Sequence, residues 1–75
     1  MKRFRVVLKA NIKEPLMDGF NIHNLELKEA IIEAKERFYW RLRNDKNIEL
    51  SYDDIEVIRV TNENGTVVYM ERSSK

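Results

Sequence analysis

The side chains able to do chemistry are few and scattered. His23 is the single histidine, cysteine is absent, and the serines are Ser51 and the adjacent Ser73 and Ser74. A serine nucleophile needs a base within hydrogen-bond reach and a further group to orient that base. Neither serine segment supplies that context. With no cysteine or second histidine to join it, His23 lacks metal-ligand spacing and reads as a solvated or locally hydrogen-bonded loop residue. Asp45, Glu49, Asp53, Asp54 and Glu56 make an acidic neighbourhood without the glycine and the alternating oxygen ligands of a calcium loop. The only glycines are Gly19 and Gly65. Both stand in turn-forming company, which leaves no glycine-rich loop to cradle phosphates. The expectation is a protein that is not an enzyme, has no cofactor or metal, and takes no small-molecule substrate.

Recognition chemistry is better represented. From Leu27 onward, Leu27, Ala30, Ile31, Ala34, Phe38 and Leu42 recur at three- and four-residue steps and form one stripe of a helix. Glu26, Glu29, Glu33 and Glu36 lie away from that stripe, and Trp40 extends their line. A tryptophan on a solvent face is over-represented among binding hot spots. Its plainer alternative is a satellite core residue covered by the following loop or by Ile48 and Leu50. Ile32 and Tyr39 on the helix flank suit sheet-edge packing. The acidic line is otherwise a solvated face, with Glu33 and Arg37 four residues apart as a helix-supporting ion pair.

Charge runs in blocks along the chain. Residues 1–13 carry +5, residues 14–36 carry −4, residues 37–46 carry +3 and residues 47–75 carry −3, for a net +1. So small a net charge argues against nonspecific duplex binding. A local patch remains open to single strands: Arg3, Arg5 and Lys9 share one parity of the first strand, Arg37, Arg41 and Arg43 end the helix, and Tyr69 could stack a base beside the strand cations. Cations on an exposed strand are equally a defence against edge aggregation.

The elements that must position these residues follow from the hydrophobic pattern. Phe4, Val6, Leu8, Ala10 and Ile12 alternate with Arg5, Val7, Lys9 and Asn11, as in a half-buried strand. Pro15 and Asp18-Gly19 break the pattern, so Lys13 to Asn24 reads as a loop, with a short hairpin at Asp18-Gly19 as the alternative. Asn24 is placed to cap the helix, with Glu26 in its first turn. Asn44 to Asn47 ends it. Ser51 and Asp54 have capping-box spacing for a single helical turn, with Ile48 and Leu50 tucked under the sheet edge. Ile55 to Val60 and Thr66 to Met70 are strands of a hairpin around Asn64-Gly65. Val60 then faces Tyr69 with a two-residue loop, or Val67 with a four-residue loop.

These elements predict one α+β domain over residues 1–75 of β-α-β-β order, a three-stranded mixed sheet with one helix packed on one face. The first two strands would be joined by a parallel crossover. The last strand either extends an edge or, preferably, inserts between the other two. One helix cannot cover both faces of a sheet, and the last two strands carry apolar residues on both parities: Ile55 and Val57 against Ile58 and Val60, Val67 and Tyr69 against Val68 and Met70. An apolar open face is expected, with Val7 in it, unless the Lys13–Asn24 segment folds across it.

Composition is compatible with this reading. Hydrophobic residues make up 43% and charged residues 36% of 75 residues, enough for one small core and too much apolar material for a disordered tail. No apolar run has the length of a membrane span. The start Met1-Lys2-Arg3-Phe4-Arg5 leads into an alternating segment rather than a signal-peptide core, so a cytoplasmic protein without membrane contact is expected. A short strand, a glutamate-rich helix and a hairpin are similar in general look to many small stand-alone proteins of phages and prokaryotes, a likeness that rests on no motif. The expected function is a small protein-binding or regulatory module, working on a protein partner or as a homodimer through the open sheet face, a sheet edge or the Trp40 end of the helix. Its contact residues would be Trp40, Val7, Tyr69 and Arg5. The alternatives are single-stranded nucleic-acid binding through Arg3, Arg5, Lys9, Arg37, Arg41 and Arg43, and a purely structural homo-oligomer.

Overall fold

The computed structural model describes residues 2–70, Met70 by its backbone only. The chain forms β1 (Lys2–Ala10), β2 (Leu16–Asn24), α1 (Leu27–Asn44), a 3₁₀ turn (Tyr52–Asp54), β3 (Ile55–Asn62) and β4 (Val67–Met70). The four strands make one antiparallel sheet in the order β2-β1-β3-β4. The expected three-stranded mixed sheet is therefore corrected on two points: there is a fourth strand, and there is no parallel pair.

Both corrections trace to the Leu16–Asn24 segment. It pairs along its whole length with β1, from Ala10↔Leu16 to Lys2↔Asn24. Pro15 lies in the connection just before the strand, where its missing N–H costs no ladder bond. Gly19 is an ordinary strand residue opposite Val7. Ile22 is the only fully buried residue of β2, with Leu16 and Phe20 half-buried against the core, so the apolar alternation is thin enough to pass for a loop. Because β2 reverses the chain before the helix begins, α1 returns it antiparallel to β1. β3 then takes the central place beside β1, and β4 pairs with β3 at the edge rather than inserting.

One residue too many in β3 decides which way its side chains face. Val7 pairs with Arg59 but Leu8 pairs with Val57, which leaves Ile58 as the extra residue of a β-bulge. The bulge resets the alternation, so Ile55, Val57 and Val60 are all buried on the face carrying Phe4, Val6, Leu8 and Ala10. Val60 thus joins Ile55 and Val57 on one face, while Ile58 stays off the core. A second shift, between Val60↔Tyr69 and Thr61↔Val67, makes Val68 the extra residue of β4. The turn joining these strands has three loop residues. Gly65 N–H donates to Asn62 O (3.0 Å) and Asn62 N–H to Thr66 O (2.9 Å), with Gly65 at φ 84, the arrangement of a turn closed by a left-handed glycine. Asn62 Oδ1 accepts from the backbone N–H of Asn64 and of Thr66. Val60 does face Tyr69, but through a bulge and not through a two-residue loop.

α1 lies mainly over β2, β1 and β3. Ala30 and Ala34 are completely buried, so the first half of the helix presents methyl groups to the sheet, and Phe38 and Leu42 supply the bulk. The backbone measures 34 × 31 × 16 Å; the short dimension is that of one helix on one sheet, and none of the described elements covers the opposite sheet face. Glu26, not Asn24, is the N-cap residue and makes no side-chain cap, while Asn24 Oδ1 accepts from Glu26 N–H at 3.2 Å. At the other end Asn47 takes φ 56 and Ile48 N–H donates to Leu42 O, which folds Leu50 into the core. The Ser51–Asp54 capping box forms: Ser51 Oγ accepts from Asp53 N–H and Asp54 Oδ2 from Ser51 N–H.

Burial assigns unequal weights to two leucines. Leu8→Ala is expected to cost about 2–5 kcal/mol, most of the stability of a domain this small. Leu25→Ala, at a position 67% exposed, should stay within about 0.5 kcal/mol of wild type. Urea unfolding midpoints of the two variants check the pair, and equal losses would contradict the burial assigned to Leu8 and the exposure assigned to Leu25.

Candidate interaction site

The sheet's open face is basic but not free of apolar side chains: Met17, Val7, Ile58 and Val67 stand among its cations, none of them packed against the core. Outward positions of β1 carry Arg3, Arg5, Val7 and Lys9; their partners on β2 are His23, Asn21, Gly19 and Met17, and on β3 Thr61, Arg59 and Glu56. Val7 is half-buried between Arg5 and Lys9. Arg5 leans across β2: its Nη1 donates weakly to Asn21 Oδ1 at 3.5 Å, and its Nη2 would stand 2.7 Å from a Cβ placed on Gly19. Glycine there leaves room for the guanidinium to lie on the sheet. Glu56, opposite Lys9, accepts from the Asn11 amide at 2.6 Å. His23 is exposed in β2 rather than in a loop.

The exposed Trp and Tyr side chains lie on the helix side. Trp40 is 55% exposed, which answers the question of core against surface in favour of surface. Tyr39 meets it edge-on at 5.3 Å between ring centroids, and Tyr39 in turn contacts the Tyr52 ring at 5.8 Å. On the flank toward β2, Trp40 borders a shallow depression of about 390 Å³ whose other walls are Phe20, Arg37, Arg41, Asn44 and Asp45. Phe20 packs against Phe38 beneath it. Both wall arginines are held in place: Arg37 by Glu33 at 2.7 Å, and Arg41 by Asp18 at 2.8 Å while its guanidinium covers the Phe20 ring. Arg43 donates to the Tyr39 hydroxyl at 3.0 Å.

Tyr69 stands opposite Val60, so directly paired side chains place it on the helix side of the sheet, away from Arg3, Arg5 and Lys9. The four expected contact residues therefore occupy three surfaces: Arg5 and Val7 on the open face, Tyr69 at the β4 edge on the helix side, and Trp40 on the helix. The basic residues divide likewise, with Arg3, Arg5 and Lys9 on the open face and Arg37, Arg41 and Arg43 on the helix. Arg59 joins the open-face group, which sequence parity hid, because counting by twos from Ile55 and Val57 puts Arg59 in the core and only the bulge turns it outward. A groove of about 380 Å³ where Leu25, Leu27, Phe4 and Val68 meet Lys2 and the 62–64 turn was likewise invisible without the fourth strand. Ser73 and Ser74 lie outside the described residues. Among the described residues no three His, Cys, Asp or Glu side chains gather as metal ligands would, and no helix is long and apolar enough to cross a membrane.

Comparison with protein-family models, with curated proteins and with solved structures returns no match. The chain is an α+β domain whose surfaces must be read on their own chemistry.

Tyr52 offers a direct check on the aromatic cluster. Partial burial pushes its phenol above the usual value of 10.0, and the Glu36 carboxylate pushes it further the same way. Lys35 Nζ lies 5.1 Å from the ring centre. A raised folded-state value means that the contribution to stability is complete below the unfolded phenol's pKa and is lost as pH rises past 10 toward the folded value. The difference in phenolate absorbance between wild type and Tyr52→Phe should titrate above pH 10, and Glu36→Gln should lower that midpoint without abolishing the shift, since burial is the larger cause.

Proposed function

We propose that this chain is a small, non-enzymatic accessory protein of the cytoplasm that binds a protein partner with the Trp40 end of α1. The observation that carries the reading is a tryptophan more than half exposed on a rigid helix, beside a depression with an aromatic floor and arginine walls. Tryptophan, tyrosine and arginine are the residues most enriched among interface hot spots. The surface is also preorganised. Tyr39 buttresses Trp40 from its own helix, and Arg37 and Arg41 are fixed by Glu33 and Asp18, so little side-chain entropy is left to lose on binding. A partner inserting an apolar side chain beside Trp40 would meet Phe20 below and guanidinium groups around it.

Light scattering over a hundredfold dilution series, which distinguishes a second copy from another protein as the partner, precedes affinity measurements on the partner so found. Trp40→Ala should leave the unfolding midpoint within about 0.5 kcal/mol of wild type and weaken the association by about 2 kcal/mol or more, a factor of roughly 30. Loss of the fold in Trp40→Ala would return this residue to the core, and association at wild-type strength would remove it from the interface.

A further inference from the structure

We infer that the open sheet face is a second, independent binding surface, for the phosphate backbone of single-stranded nucleic acid. Among the described residues, Arg3, Arg5, Lys9 and Arg59 project from this face against a single acid, Glu56, a balance of +3 in a chain whose net charge is +1. Among the described residues none of these four cations forms an ion pair. The helix arginines differ in this respect, since Arg37 and Arg41 are neutralised by carboxylates and Arg43 is engaged by Tyr39. That contrast separates the strand cations from the helix cations, which an unfolded reading of the charge blocks treats alike.

The place of the cations in the sheet removes their plainest structural explanation. Lysine and arginine on an edge strand block edge-to-edge pairing. β1 and β3 are the two inner strands, and the outward residues of the β2 edge, Met17, Gly19, Asn21 and His23, include no lysine, arginine or acid. The charge is therefore gathered at the middle of the face, where it guards no edge. It surrounds a low floor made by Val7 and Gly19, paired with each other, and by the bulge residue Ile58, with Arg59 across from Val7 and the Arg5 guanidinium over Gly19.

The chemistry of the face favours nucleic acid over an acidic protein. Protein interfaces have an apolar, fully desolvated centre of large side chains, and here the centre is limited to half-buried Val7 and Ile58 and a glycine, ringed by charge. Interfaces with nucleic acid are more polar and far more positive. Three of the four cations are arginines, whose planar forks suit phosphate oxygens and whose faces stack on bases. Asn21, His23 and Thr61 add hydrogen-bonding groups on the same face. A broad sheet fits no duplex groove but gives single-stranded bases room to lie flat. His23 is the one aromatic ring of the described residues on the face, so stacking falls to its imidazole and to guanidinium groups, and binding is dominated by phosphate contacts with little preference among bases.

Fluorescence anisotropy with a labelled oligouridylate of about 15 nucleotides tests this on the full chain. Four phosphate contacts predict a slope of about −3 in log affinity against log salt, hence a loss of roughly 50-fold between 50 and 200 mM salt. Arg5→Glu combined with Arg59→Glu, two exposed positions, should keep the circular-dichroism melting curve, weaken binding roughly tenfold or more at 50 mM salt and halve the slope. Arg43→Glu and Trp40→Ala should bind the oligonucleotide as wild type does, which keeps this test separate from the one for the protein partner. Absence of binding at 50 mM salt overturns the inference. So does wild-type affinity in the folded double variant, equal loss in Arg43→Glu or Trp40→Ala, or binding of poly-glutamate as tight as that of the oligonucleotide, which would make the surface one for acidic proteins.

Discussion

One helix has to cover every core strand position, and the bulge at Ile58 is what brings those positions to one face. Without the extra residue, Val60 would point away from Ile55 and Val57, and either the core would lose it or the open face would gain it. With the bulge, Ile55, Val57 and Val60 all lie under α1 and Arg59 is turned outward. The same local irregularity thus completes the core and places a cation at the centre of the opposite face. Bulges commonly re-aim side chains in this way. Here the consequence reaches β4, where a second shift at Val68 keeps Tyr69 beside Val60 on the helix side.

How much of this was legible in the sequence depended on whether a pattern was local. The three- and four-residue spacing of Ala30, Ala34, Phe38 and Leu42 located α1, the alternation of Phe4, Val6, Leu8 and Ala10 located β1, and Ser51 with Asp54 marked the 3₁₀ turn. The hairpin around Gly65 was legible in kind, but its register was set by Asn62, whose side chain holds the turn through Asn64 and Thr66. β2 was not legible because its evidence is distributed. Pro15 and Gly19 are breakers in isolation and harmless in context: one precedes the strand and the other makes room for Arg5. The sheet order followed from that omission, since without β2 the helix seems to join parallel strands.

For the candidate surfaces the division is similar. Trp40 stood out from its residue type and its angle on the helix, and it is exposed. The basic face was half legible, as Arg3, Arg5 and Lys9, while Arg59 required the bulge and Tyr69 proved to belong elsewhere. The resulting molecule has two chemically distinct sides. Toward the helix it shows aromatic rings, ion-paired arginines and the acidic line of Glu29, Glu33 and Glu36; toward the open sheet it shows unpaired cations around a small floor.

The strand order also has a kinetic meaning. β1–β2 and β3–β4 are each hairpins closed by short connections, and such units form within microseconds although they are barely stable alone. The ladder that joins them pairs residues 4–10 with residues 55–62 across the whole helical segment. It is the strand ladder of greatest sequence separation, and its closure has to be met by chain entropy before the core rewards it. Folding should therefore be limited by the meeting of two preformed halves rather than by the growth of either, with α1 acting as the tether that sets how often they meet.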